Sequence, residues 1–148
     1  MATGADLVTI GRRYIGVPYQ HMGRPAPGEY PTGLDCAQLL LLCAQEADVI
    51  PQHVSLTPYP KYPRPRDFEQ LKAYCTEIPK EDAWLGDILV MRNPLRLNRL
   101  WHLAMKTDIG VLWVHPLPSI AQVAESRLGP DTERHIVAAW RFNGLENA

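Results

Sequence analysis

Two side chains of types suited to nucleophilic catalysis stand out in the sequence, the thiol of Cys36 as a nucleophile and the imidazole of His102 as a base. Cys36 follows the loop-forming Gly33-Leu34-Asp35 and opens the run Ala37–Ala47, in which Leu39, Leu40, Leu42, Cys43 and Ala47 are apolar. Apolar residues on most sides predict a buried helix. A cysteine at a helix start has unpaired backbone N–H groups and the positive end of the dipole at its sulfur, and both favour the nucleophilic thiolate. By itself Cys36 also reads as a small core residue. Cys43, in mid-helix, is expected to be an inert core thiol, and Cys75 has no supporting context.

A thiol needs a base, and His102 in Trp101–Lys106 is followed by His115 in Val111–His115. Between them Asp108-Ile109-Gly110 is a hairpin signal. Folding the strands about it brings His102 opposite residues 115–117. His115 is then a direct or diagonal neighbour of His102, if the register puts both on one face. The alternative is a pair of partly exposed strand histidines. Helix-start thiol, strand imidazole and a polar group on the next strand form the logic of papain-like nucleophilic catalysis. A Cys/His zinc site is the rival use of these residues. The sequence contains no C-x-x-C or H-x-x-x-H pair, so no metal and no cofactor are expected.

The elements that must position these groups follow from periodicity and punctuation. Leu7, Ile10 and Tyr14 predict a helix over Asp6–Ile15, with Thr3 or Asp6 as N-cap and Gly16-Val17-Pro18 as its end. Residues 20–33, rich in Gly and Pro, read as an ordered loop. The prolines of Pro51–Pro65 interrupt regular structure, and Asp67–Cys75 is a short helical candidate. Downstream, Asp87–Met91, Trp101–Lys106, Val111–His115, Ile120–Glu125 and Ile136–Phe142 are short β-rich runs, and Arg92–Arg99 is expected to be a loop. Helices first and a strand meander after predict an α+β fold with an antiparallel sheet of about five strands.

Composition narrows the classes. The 148 residues are 46% hydrophobic and 21% charged, which is globular composition expected to form one domain over 1–148. Fifteen Lys and Arg against sixteen Asp and Glu leave a net charge of −1, so neither nucleic acid nor an anionic membrane surface is an expected partner. The apolar run Leu39–Ala44 is far short of the ~20 residues needed to cross a bilayer. Three cysteines do not make a disulfide framework. The N-terminal stretch has Asp6 before its apolar residues and Arg12-Arg13 after, the reverse of a secretory signal. Synthesis without a cleaved signal, in the cytoplasm, is expected.

Five segments in order carry a resemblance: Gly16-Val17-Pro18-Tyr19, Gly33-Leu34-Asp35-Cys36, Gly86-Asp87-Ile88-Leu89-Val90, His102-Leu103-Ala104-Met105 and Val114-His115. Together they resemble the motifs of NlpC-type cell-wall cysteine peptidases over a core of about residues 5–142. The resemblance implies a papain-like fold and hydrolysis of peptidoglycan stem peptides through an acyl-enzyme. It makes Cys36 the nucleophile, His102 the base and His115 the orienting third member. Tyr19 resembles a residue that binds substrate or stabilises the oxyanion, and Asp35 one that shapes a substrate amine pocket. Ala37-Gln38 departs from the usual Ser-Gly, and Gln20-His21-Met22-Gly23 from the aromatic-Gly-Gly.

The short, signal-less form resembles the peptidases of phage and gene-transfer-agent tail modules, which implies tail proteins as partners and association with the particle. Two alternatives remain open. One is a tail component that kept the fold without turnover. The other is an amidase or thioester hydrolase acting on a non-wall substrate with the same residues.

Overall fold

The computed structural model describes residues 1–92 and 101–146. Helix α1 spans Gly4–Arg12 and begins at Thr3, whose hydroxyl accepts from the Asp6 amide while the Asp6 carboxylate accepts from the Thr3 amide. That reciprocal pair satisfies two of the orphan donors at a helix start. Leu7 and Val8 on its inner face are buried. Helix α2 spans Cys36–Glu46 and is buried along nearly its whole length, as its unbroken apolar run requires. A 3-10 turn at Pro65–Phe68 and a single turn of helix, α3 at Glu69–Lys72, occupy most of the expected Asp67–Cys75 helix.

The chain then enters a sheet of six strands: β1 (Cys75–Ile78), β2 (Ile88–Arg92), β3 (Trp101–Lys106), β4 (Gly110–Val114), β5 (Val123–Arg127) and β6 (Ile136–Phe142). Their order is β1-β6-β2-β3-β4-β5 and every pairing is antiparallel. The one-turn helix α4, Pro130–Glu133, links β5 to β6. Five strands follow the sequence expectation. The sixth, β1, is an edge strand at the C-terminal end of the stretch expected to be helical. The expected Arg92–Arg99 loop lies, beyond Arg92, outside the described residues. Among the described residues no helix is long and apolar enough to cross a membrane.

The two faces of the sheet bury unequal cores. One face receives α1 and α2 and contributes Val90, Leu103, Met105, Leu112 and Trp140 to the larger cluster. The other holds a smaller cluster of Leu89, Met91, Ala104, Val111, Trp113, Ile136 and Ala139. The turn before β2 joins the sheet to α1 at close range. Gly86 has φ of +83°, and a Cβ there would lie 2.7 Å from the backbone of Gly4, so only glycine fits without displacement.

Asp87 follows, and it is almost fully buried. Its carboxylate accepts Arg141 Nε–H at 3.0 Å and Nη2–H at 2.8 Å from β6, and the Trp84 amide at 2.7 Å. Removing one partner of a buried pair leaves the other charge uncompensated. Asp87→Ala is therefore expected to lower the unfolding free energy by about 3 kcal/mol, and Asp87→Ala with Arg141→Leu by less. Denaturant unfolding of the three proteins measures both values. A cost below about 1 kcal/mol for the single variant would show that the pair is dispensable.

Candidate active site

The loop before α2 places the thiol. Gln20 donates its amide to the Leu34 carbonyl at 3.1 Å, and Leu34 donates to the Pro18 carbonyl at 3.0 Å. These bonds hold Tyr19 alongside Leu34. Asp35 is the N-cap: its Oδ1 accepts the Gln38 amide at 2.9 Å. Its Oδ2 accepts the Met22 amide at 2.8 Å and the Tyr59 hydroxyl at 2.5 Å. Three donors thus engage a carboxylate that is itself buried. Cys36 is the first helical residue. The backbone N–H groups of Leu103 on β3, of Ala37 and of Cys36 itself act on its sulfur and favour the thiolate.

Those donors are outweighed. Burial, together with the adjacent Asp35 charge, pushes the Cys36 thiol up to about 12. The helix start favours the thiolate as the sequence predicts, but removal from water acts more strongly. Cys43 is fully buried inside α2, as expected of a core thiol.

His102 lies on β3, opposite Met91 of β2. On its other side β3 pairs with β4 at Met105↔Leu112 and Lys106↔Val111. The Thr107–Gly110 turn sets that register: the Thr107 amide donates to the Gly110 carbonyl at 2.9 Å, and the Thr107 hydroxyl accepts the Gly110 amide at 3.0 Å. Continued along the strands, this register sets His115 across from His102. The hydrogen bond at His102, however, is not between the two imidazoles. His102 Nε2 lies 2.9 Å from the Val114 carbonyl, while His115 Nδ1 accepts the Leu117 amide at 3.2 Å. A turn beyond β4 captures the ring of His115, and the strand backbone serves His102.

A carbonyl only accepts, so Nε2 of His102 carries the proton and Nδ1 is left as the basic nitrogen. Burial draws His102 down to about 4, with repulsion from His115 adding to the effect and the Val114 bond opposing it. Burial thus disfavours the charged form of both the Cys36 thiol and the His102 imidazole.

Cys36, His102, His115, Tyr19 and Asp35, the five residues expected from the sequence, all line one cavity of about 320 Å³. Sequence reasoning missed its outer wall. Lys61, Tyr62 and Pro63 come from the proline-rich segment, which read only as an interruption of regular structure. Lys61 Nζ sits 5.9 Å from the centre of the Tyr19 ring and 5.8 Å from that of Tyr62. Gln38, where the sequence departs from the expected Ser-Gly, is buried and donates from Nε2 to the Tyr59 hydroxyl at 3.5 Å. Alternation of Tyr with Pro at 58–63 was the available signal for a packed rather than a solvated stretch. Among the described residues no group of three His, Cys, Asp or Glu side chains could hold a metal ion.

Among solved structures, the P60 domain of M. avium subspecies paratuberculosis antigen MAP1204 superposes with a TM-score of 0.58, covering 94% of this chain and 93% of that one at 18% identity. The chain has the NlpC/P60 fold. The NlpC/p60 domain of the peptidoglycan hydrolase SagA matches it with a TM-score of 0.59 at 19% identity, over 93% of this chain and 97% of that one. RipD of Mycobacterium tuberculosis, described as a non-catalytic NlpC/p60 domain protein, matches with a TM-score of 0.54 at 15% identity, over 95% and 96%. No family model and no curated protein matches the chain. At these identities the NlpC/P60 likeness is one of fold.

The depressed basicity of His102 has a consequence for stability. Its value near 4 in the folded chain lies below the ordinary 6.5, so between those limits the unfolded chain binds the proton more tightly. Stability is then lost as pH falls through that window, by on the order of 3 kcal/mol for this one group. The melting temperature is expected to drop from pH 7 to pH 5, and to drop less in His102→Gln. An equal drop in both proteins would show that His102 is not the group responsible.

Proposed function

We propose that this chain is a cysteine endopeptidase of a single domain that hydrolyses peptide bonds in peptidoglycan stem peptides. The supporting observation is the convergence of Cys36 and His102 on one cavity, with the tautomer of His102 fixed by the Val114 carbonyl. The named activity of the neighbour SagA, a peptidoglycan hydrolase, supports the substrate class. So does the order of the five sequence segments.

In the proposed reaction, Cys36 Sγ attacks the scissile carbonyl carbon as its proton passes to Nδ1 of His102. The oxyanion receives the Cys36 backbone N–H and the Tyr19 hydroxyl. That hydroxyl is pushed up to about 12, chiefly by burial, and so stays protonated to donate. Each such donor is worth about 3 kcal/mol in related chemistry. The imidazolium then protonates the leaving amine as the C–N bond breaks, leaving a thioester. His102 next takes a proton from water, hydroxide adds to the thioester, and the acid product leaves as the thiol is regenerated. Asp35 acts as a positioning residue that fixes the start of α2. His115 acts through its charge on His102 rather than through a bond to it.

One observation favours a second reading, a wall-binding or structural protein without turnover: burial disfavours the charged form of both the thiol and the imidazole, and the fold neighbour RipD is described as non-catalytic. An amidase or thioester hydrolase would use the same residues on a non-wall substrate. Placement in a phage or gene-transfer-agent tail rests on the sequence resemblance alone, and immunodetection in purified particles tests it.

Mass spectrometry of purified muropeptides incubated with the protein and with Cys36→Ala separates these readings. A new peptide-bond cleavage product is expected with the wild type and absent with the variant. Unchanged muropeptides with both would favour the silent protein or the hydrolase of a non-wall substrate.

His102→Ala is expected to abolish turnover, whereas His115→Ala should retain it within about tenfold, because the Val114 carbonyl still holds the base. Removing the charge of His115 raises the basicity of His102, so the acid limb of kcat/KM should move to higher pH in His115→Ala. A loss as deep as that of His102→Ala would instead make His115 the orienting member.

A further inference from the structure

We infer that a second cavity, apart from the one that holds Cys36 and His102, binds a small primary ammonium ion. It has a volume of about 530 Å³ and shares no lining residue with the first cavity. Helix α2 forms one wall through Gln38, Leu41 and Gln45, and the loop at 24–30 forms another. Two buried glutamines of α2 therefore face it, and they differ in what they leave for a ligand. Gln45 is engaged at both ends: its Oε1 accepts Arg24 Nη2–H at 3.4 Å, and its Nε2 donates to the Val54 carbonyl at 2.8 Å and the Pro51 carbonyl at 3.2 Å. Gln38 is engaged at one end only. The single hydroxyl proton of Tyr59 goes to Asp35 Oδ2, so that hydroxyl can only accept from Gln38, which must present Nε2 to it. The Oε1 of Gln38 is left without a partner among the described residues and opens on the cavity. Gln38 is 4% exposed, and a buried amide oxygen with no donor is costly. The cavity calls for a ligand that donates.

Charge decides which donor. The one guanidinium of the lining, Arg24, donates to the Val54 carbonyl at 3.2 Å and to Gln45, which ties the loop to the chain after α2. The two carboxylates of the lining are less committed. Glu29 has no ion pair or side-chain hydrogen bond among the described residues, and Glu46 has Arg13 at 3.9 Å. Two carboxylates against one guanidinium leave the lining negative. Gln45 and Glu46 also close α2, and the negative end of a helix dipole favours a cation there. The rings of Tyr14 and Tyr30, with centres 5.5 Å apart, add faces that attract an ammonium. Tyr30 is held in place by its hydroxyl, which donates to the Arg13 carbonyl at 2.8 Å. An ammonium brings three donors and no acceptor. It is the group that supplies Gln38 Oε1 with an N–H and the carboxylates with a counter-charge.

Three probes with the same carbon chain separate charge from hydrogen bonding. They are n-butylammonium; n-butyltrimethylammonium, which keeps the charge without an N–H; and n-butanol, which keeps a donor without the charge. Titration of the full chain followed by amide NMR reads their affinities and shows whether the Gln38 side-chain signal moves. For the wild type, n-butylammonium is expected to bind about fivefold more tightly than either of the others, the size of a partly exposed ion pair, to move the Gln38 signal, and to weaken in added salt. Gln38→Met, close in shape, should bring the three affinities within about twofold of one another. Glu29→Gln should weaken n-butylammonium and leave n-butanol unchanged. Equal affinity of the three probes for the wild type, no binding of n-butylammonium, or an undiminished preference in Gln38→Met overturns the inference. If Gln38→Met does not fold, the wild-type comparison of the primary with the quaternary ammonium decides alone, and equal affinity overturns the inference. Turnover enters none of these measurements, so the hydrolytic reading stands or fails separately.

Discussion

The carboxylate of Asp35 gathers three stretches of chain that are distant in sequence: the loop at Met22, the first turn of α2 at Gln38, and the proline-rich segment at Tyr59. A buried carboxylate is tolerated only when donors replace the water it has lost. The three bonds are therefore mutually dependent, and none of the three segments is free to shift alone. Because Cys36 is the next residue, the sulfur inherits this constraint directly. Burial raises the thiol and the same Asp35 charge adds to it, so the group that fixes Cys36 in space also disfavours its thiolate.

The second half of the site depends on the end of a ladder. Strands β3 and β4 pair next to the Thr107–Gly110 turn, and at Val114 the carbonyl meets the ring of His102. A side chain thus uses the strand backbone as its orienting partner, which a substitution at Val114 leaves in place. The Asp87–Arg141 pair holds β2 against β6, and β2 is the other neighbour of β3. His102 is therefore braced from both sides of its strand.

Much of this was legible in the sequence. The apolar run after Cys36 required a buried helix, and Thr3 with Asp6 marked the start of the first one. The turn signal at 108–110 predicted a register that sets His115 across from His102. Three features were not legible. Strand β1 is four residues long, and its start at Cys75 continued a helical pattern from Asp67. The choice of Val114 over His115 as hydrogen-bond partner depends on where pairing between two strands stops, which composition does not encode. The state of the Cys36 thiol turned on burial by distant segments, whereas the local pattern reports only the helix end. The proline-rich stretch announced the absence of helix and sheet but not the face it covers.

That stretch supplies a wall of the cavity without the ladder of backbone hydrogen bonds that holds an ordinary wall in shape. It is tethered at a few points: Thr57 to Gln70, Tyr59 to Asp35, Arg64 to Asp67, and the Pro63 carbonyl to the Trp101 amide. Between them stand Pro58, Pro60, Pro63 and Pro65, each with a fixed φ and little freedom in the unfolded chain. Ordering such a segment costs less conformational entropy than ordering a flexible loop of equal length. Chain stiffness thus substitutes for hydrogen bonding. The side chains between the prolines, Tyr59, Lys61 and Tyr62, are carried on a backbone whose shape depends little on their identity.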